Sequence, residues 1–177
     1  MKTVRRIGLL LLLSMTMPAC GQTIEPEIYL LPAGFEGPVL IIFNQAEGAA
    51  PKYEGEARVY EIPASGVLWT QFSDQSGWVP KGYPKFYHVS ADGSRTKIEY
   101  TRWEDTTDGG RVKAYGGSVG VSRHRYTNYV VCRRSELSKM EVRGRMQLDS
   151  VFGGFHRREY FEPQDSLEDA RMGDAPK

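Results

Sequence analysis

Three histidines, two cysteines and a scatter of acids are the side chains through which this 177-residue sequence could do chemistry. His88, His124 and His156 lack the i, i+2 or i, i+4 spacing that gives a local metal pair, so a zinc site would have to be assembled entirely by the fold. Three unrelated histidines are the simpler reading, and no metal or other cofactor is expected. Cys132 closes the apolar, strand-like run Tyr129-Val130-Val131-Cys132, where a thiol serves as a small hydrophobe. Only Arg133 and Arg134 stand near enough in sequence to activate it, which gives little support to a dyad with His124 or His156. The glycine-rich stretch Gly116-Gly117-Ser118-Val119-Gly120 lacks the Lys-Ser/Thr of a phosphate loop and reads as a hairpin turn. Ser65 lacks the flanking glycine of a nucleophile elbow. An enzyme would therefore need a site built across strands from Glu99, Glu104 or Asp105 with a histidine. No catalytic residue is assigned, and a non-enzymatic structural or interaction module is preferred to a small enzyme.

Cys20 stands in a different setting. Lys2, Arg5 and Arg6 precede an apolar core from Ile7 to Leu13 and small residues near Ala19, the pattern of an export signal. Seven apolar residues span only about 10 Å as a helix, too short for a permanent membrane anchor. Met17-Pro18-Ala19-Cys20 resembles the lipobox of bacterial lipoproteins, although Met17 replaces the usual Leu and Pro18 is an uncommon neighbour. The resemblance implies cleavage after Ala19, a thioether-linked lipid on Cys20 and a membrane partner reached through that anchor. Ordinary cleavage, leaving Cys20 a plain thiol on a periplasmic or secreted protein, is the alternative. Gly21 is not the Asp that holds many lipoproteins at the inner membrane, so an outer-membrane location facing the periplasm or the surface is expected. With Cys132 as the second cysteine, no disulfide framework is available.

Without residues 1–19 the chain holds 20 basic and 22 acidic residues, a formal charge of −2. Its distribution is uneven: residues 20–110 carry −6, residues 111–158 carry +8 and residues 159–177 carry −4. Arg123, Arg125, Arg133 and Arg134, with Arg143, Arg145, Arg157 and Arg158, could meet anionic lipid or acidic glycan if the fold gathered them. Basic strands paired with acidic strands would instead neutralise the charge within one sheet. Nucleic acid is not an expected partner outside the cytoplasm.

The elements that must position these groups are mostly strands. Nineteen glycines, ten prolines and twenty aromatic residues argue against a helical bundle. Glu27–Leu31 reads as a strand, and Val39–Phe43 as a central strand covered on both faces, because it is continuously apolar. Ala57–Ile62 and Val67–Phe72 alternate and suggest an antiparallel hairpin about Pro63–Gly66. Further strands are expected at 85–89, 97–103, 111–115, 118–122 and 127–133. This spacing predicts an all-β fold, an antiparallel β-sandwich or partly open barrel, with a short helix near 135–141 that Ser135 could cap. Residues 142–161 could equally form two strands about Gly153-Gly154. The expected organisation is a signal peptide at 1–19, one β-rich domain at 20–161 and an acidic, disordered tail at 162–177. The Pro/Gly-bearing stretch 78–88 carries Trp78, Tyr83, Phe86 and Tyr87, which could stack on a sugar or anchor an envelope protein, or close one end of the core.

Several of these stretches carry a resemblance. Tyr29-Leu30-Leu31-Pro32, Gly34-Phe35, Gly37-Pro38-Val39, Phe43, Arg58-Val59-Tyr60-Glu61-Ile62-Pro63, Gly66 and Thr70-Gln71-Phe72 are similar to a family of uncharacterised bacterial exported proteins, many of them lipoproteins. The likeness spans about residues 27–100 and implies export and a strand-rich domain with short turns. It supplies no activity. A distant likeness to transthyretin-type and carboxypeptidase-regulatory-type sandwiches rests on strand spacing alone.

Overall fold

The computed structural model describes residues 23–76, 79–101, 103, 109–121 and 123–153. Cys20, Trp78, Glu104, Asp105, His156, Arg157, Arg158 and the acidic tail lie outside the described residues.

Short apolar or alternating runs separated by Gly, Pro and Asx turns form nine described strands: β1 (Glu27–Pro32), β2 (Gly37–Ile42), β3 (Tyr53–Glu54), β4 (Ala57–Glu61), β5 (Val67–Trp69), β6 (Lys85–Val89), β7 (Arg95–Thr101), β8 (Val112–Val121) and β9 (Arg125–Arg133). A 3-10 turn, Arg134–Glu136, leads into helix α1 (Leu137–Phe152). The strands make one sheet in the order β3-β4-β1-β6-β7-β8-β9-β2-β5. It is mixed: β1 runs parallel to β4 and β6, β2 to β5, and β7 to β8. The sheet curls into a partly open barrel, and one stretch of chain closes the gap between its edges. Ala49 bridges to Thr70, just past β5, through Ala49 N–H to the Trp69 carbonyl (2.8 Å) and Gln71 N–H to the Ala49 carbonyl (3.0 Å). A few residues later β3 pairs with β4. The chain thus passes directly from one edge of the sheet to the other, and the edge strands β3 and β5 are both short.

Side chains alternate across the sheet. Tyr29, Leu31, Val39, Ile41, Phe43, Tyr60, Phe86, Ile98, Tyr129 and Val131 fill the barrel. The filling is largely aromatic: Tyr29 stacks on Phe86 (4.5 Å between centroids) and Tyr60 (5.0 Å) and meets Tyr129 edge-on (5.0 Å). On the outside, Leu40, Ile42 and Tyr126 pack with Phe152 of α1, while Tyr115, Val130 and Cys132 pack with Leu137 and Met140. β2 is therefore buried on both faces, as its unbroken apolar sequence predicts.

The all-β, partly open barrel expectation with a helix following β9 holds, but the sheet is mixed where an antiparallel one was expected, because β1, β2 and β7 each take parallel neighbours. Three further details differ. β4 and β5 do not form a hairpin. The turn Gly66 N–H to Pro63 carbonyl (2.9 Å) sends β5 to the far edge, where Leu40 N–H reaches the Gly66 carbonyl (2.8 Å) and β5 pairs with β2. The close approach requires glycine: a Cβ at Gly66, whose φ is +76°, would stand 2.3 Å from the Pro38 carbonyl oxygen. Second, the two short strands expected at 111–115 and 118–122 are one strand, β8, with a bulge between Gly116 and Ser118. Third, the helix runs through residue 152, beyond the short helix expected at 135–141 and against the strand alternative for 142–152, and Gly153 in the left-handed region ends it. No helix among the described residues is long and apolar enough to cross a membrane.

Candidate ligand-binding site at the mouth of the barrel

One end of the barrel receives the start of β1 and β9 and the ends of β2 and β8. A cavity of about 300 Å³ opens there, lined by Ile24 and Glu27 from the first segment, Phe43 after β2, Tyr100 of β7, Val119 of β8, and Thr127 and Tyr129 of β9, among others. Glu27 shares a strand face with Tyr29 and Leu31, so an acid enters the apolar side of the sheet. It is half-buried and held by neutral donors: the Tyr29 hydroxyl at 2.8 Å, Gln75 Nε2 at 3.1 Å and the Tyr60 hydroxyl at 3.4 Å. The Tyr29 and Tyr129 hydroxyls lie 3.2 Å apart. With the single Tyr29 proton given to Glu27, Tyr129 donates to Tyr29, and a chain of phenols runs from the barrel centre to one carboxylate.

The electrostatics follow from burial. Desolvation raises the Glu27 carboxyl above its ordinary value, although the hydrogen bonds from Tyr29 and Gln75 and the nearby Arg58 oppose it. Burial likewise pushes the Tyr29, Tyr60 and Tyr129 phenols upward, so none is an activated nucleophile. Beside the mouth, the Arg58 guanidinium is buried over the Phe72 ring (4.8 Å) and bonded to Glu25 and the Ser73 carbonyl, and Arg125 pairs with Asp74 at 3.0 Å.

Apart from Arg123 and Arg125, the described side chains singled out from the sequence fall elsewhere. Phe86 has no exposed surface and is part of the barrel filling, so it is unavailable to a partner; large aromatic area is worth more buried than exposed. Tyr83 and Tyr87 are half-buried, each beside a cation: Lys85 over the Tyr83 ring at 4.3 Å and Arg95 over Tyr87 at 5.9 Å. The four arginines divide into two pairs. Arg123 and Arg125 sit at the mouth end, whereas Arg133 and Arg134 lie at the other end of β9, about 27 Å away at roughly 3.4 Å per residue. Arg134 donates to the Trp103 carbonyl at 3.0 Å.

Among the described residues, Glu99, His88 and His124 do not converge either. Glu99 is exposed and faces Lys113 at 3.6 Å. His88, opposite Thr96 in register, lies on the other sheet face from Glu99 and contacts the Phe35 carbonyl at 2.9 Å. His124 meets Gln45 Nε2 at 3.1 Å and the Trp69 ring at 6.0 Å. Among the described residues no group of three or more His, Cys, Asp or Glu could hold a metal.

Cys132 is fully buried beneath α1, and burial pushes its thiol up to about 12. Thiol reagents should therefore label Cys132 at the global unfolding rate, and rapid labelling of the native protein would contradict this placement.

Glu27, Tyr129 and Tyr100, which make the mouth, were not singled out as site residues by sequence reasoning. The available signal was a charged residue at i−2 from Tyr29 on the apolar face of a strand.

Comparison with known proteins gives a family match. The model of a family of unknown function, DUF6843, matches residues 23–139, which span every described strand and the first turn of α1. No curated protein matches the chain. Among solved structures, it is similar to the 2.75 Å crystal structure of a "putative lipoprotein" from Bacillus anthracis, with 21% identity, 85% of this chain and 93% of that chain covered, and a TM-score of 0.47.

Proposed function

From the premise that this chain belongs to the family of unknown function DUF6843, we propose that it is an exported lipoprotein whose barrel is a non-enzymatic binding module with its site at the mouth. The observation that carries this reading is the position of the mouth relative to the N-terminus. Ile24 and Glu27 line the cavity, and Ile24 is four residues beyond the candidate lipid attachment at Cys20. Four extended residues reach about 14 Å at most, so a lipid on Cys20 holds the mouth close to the bilayer.

The rim suits that location. Val79, Val119 and Val121 are each about half exposed, and Arg123 adds an exposed cation beside Arg125. Apolar rim residues at the interface and basic residues toward anionic headgroups are the arrangement of a surface-seated module. The chemistry of the interior favours binding over catalysis: Glu27 is bonded to three donors, and its phenol neighbours are held protonated. The absence of Asp at residue 21 points to the outer membrane within the envelope.

Cys20→Ser tests the tether. The variant should leave the membrane fraction and lose metabolic palmitate label, and unchanged fractionation with retained label would overturn the reading.

A further inference from the structure

We propose that the mouth takes an ammonium group, free or carried by a lipid headgroup, with Glu27 as its counter-ion and Tyr100 and Tyr129 among its walls. This rests on the reading of the mouth as a binding site and gives its ligand a chemical class.

Charge is the first argument. The residues lining the cavity include two carboxylates, Glu27 and Asp74, and no lysine or arginine. Asp74 is already paired with Arg125 and accepts from Asn44 Nδ2 at 3.3 Å. Arg58, the cation nearest Glu27, is committed to Glu25 and the Ser73 carbonyl. Glu27 thus has no ion pair among the described residues, and its three neutral donors leave one acceptor site on a carboxylate that offers about four. An anion would meet two carboxylates here, whereas a cation would supply the missing charge to a carboxylate that burial disfavours.

The walls are the second argument. Phe43, Tyr100 and Tyr129 bring aromatic rings to the cavity, and Ile24, Val79 and Val119 bring apolar surface. Aromatic rings attract cations, more strongly where water is excluded, and apolar surface favours an organic ammonium over a metal ion or a fully hydrated one. About 300 Å³ accommodates a small alkylammonium or an ethanolamine or choline headgroup, at the small end of ligand cavities.

The test uses the mature protein as isolated from cells, carrying fluorotyrosine and placed in phosphatidylglycerol bilayers, whose headgroups contain no amine. Addition of n-butylammonium should shift the fluorine resonances of Tyr100 and Tyr129 saturably, and n-butanol and butyrate at the same concentration should not. Glu27→Gln should weaken the response at least tenfold. Val119→Trp, which fills the mouth from an exposed rim position without touching the core, should do the same if Glu27→Gln fails to fold. Shifts already present in phosphatidylethanolamine bilayers and not increased by the amine would assign the ammonium to a headgroup; shifts with the free amine alone would assign it to a soluble amine. An equal response to n-butanol and n-butylammonium would overturn the ammonium class and leave the mouth as a site. No response to any of the probes or bilayers would overturn both.

Discussion

Replacing Tyr29 with alanine should cost the fold about 3–5 kcal/mol, the range for deleting a large buried aromatic side chain. Tyr29 is fully buried at the centre of β1, stacked against Phe86 and Tyr60 and edge-on to Tyr129. These neighbours belong to three other strands, β4, β6 and β9, so no single movement closes the hole. Tyr29→Phe separates packing from polarity: the ring stays, Tyr129 loses its acceptor and Glu27 loses its shortest donor, a change worth about 1–3 kcal/mol. Equilibrium denaturation in guanidinium chloride should place the two variants in that order, with Tyr29→Ala much the weaker. Two variants of equal stability would show that the phenol network, and not the aromatic stack, holds β1 in place.

Glu27→Gln should stabilise the fold above the carboxyl titration and leave it unchanged below. Burial raises the folded-state value of Glu27 above its unfolded one, while Tyr29 of the same strand and Arg58, Tyr60 and Tyr129 of other strands face it. A raised carboxyl means that the folded chain binds more protons than the unfolded chain between the two values, so stability contributed by this group falls as pH rises through that window. At neutral pH the ionised form is a cost, and the neutral amide, with similar shape and an acceptor for Tyr29, should raise the melting temperature. Below the unfolded carboxyl value both states are protonated and the advantage should vanish. Melting curves of both proteins from pH 4 to pH 8 check this; an amide variant less stable at neutral pH would mean that the hydrogen-bonded carboxylate is a net stabilising group. A residue that lowers stability where a ligand could reach it is the usual mark of a functional position.

What was legible in the sequence follows from what each signal encodes. The unbroken apolar run Val39–Phe43 announces a strand buried on both faces, and burial against barrel and helix is what β2 shows. Alternation in Ala57–Ile62 and Val67–Phe72 states which side chains share a face and says nothing about the neighbouring strand, so the supposed hairpin became two strands near opposite edges. The second half of α1 was obscure because Val142 and Met146 put apolar side chains on the exposed face, while Gly144 leaves the packed face, against Pro38, without a side chain. The mouth was obscure for a different reason: its residues come from segments a hundred positions apart, and only the curl of the mixed sheet brings Glu27 to Tyr129. Charge counting suffered likewise, since β9 is long enough to carry Arg125 and Arg133 to opposite ends.

The proposed function puts this barrel at a membrane surface, tied there through Cys20 with its mouth beside the anchor. Intact-mass and N-terminal peptide analysis of the protein purified from its own cell envelope tests it most directly. The account expects a mature chain that begins at Cys20 and carries a thioether-linked diacylglyceryl group. A mature chain beginning at Cys20 with an unmodified thiol, or one that retains residues 1–19, would contradict it.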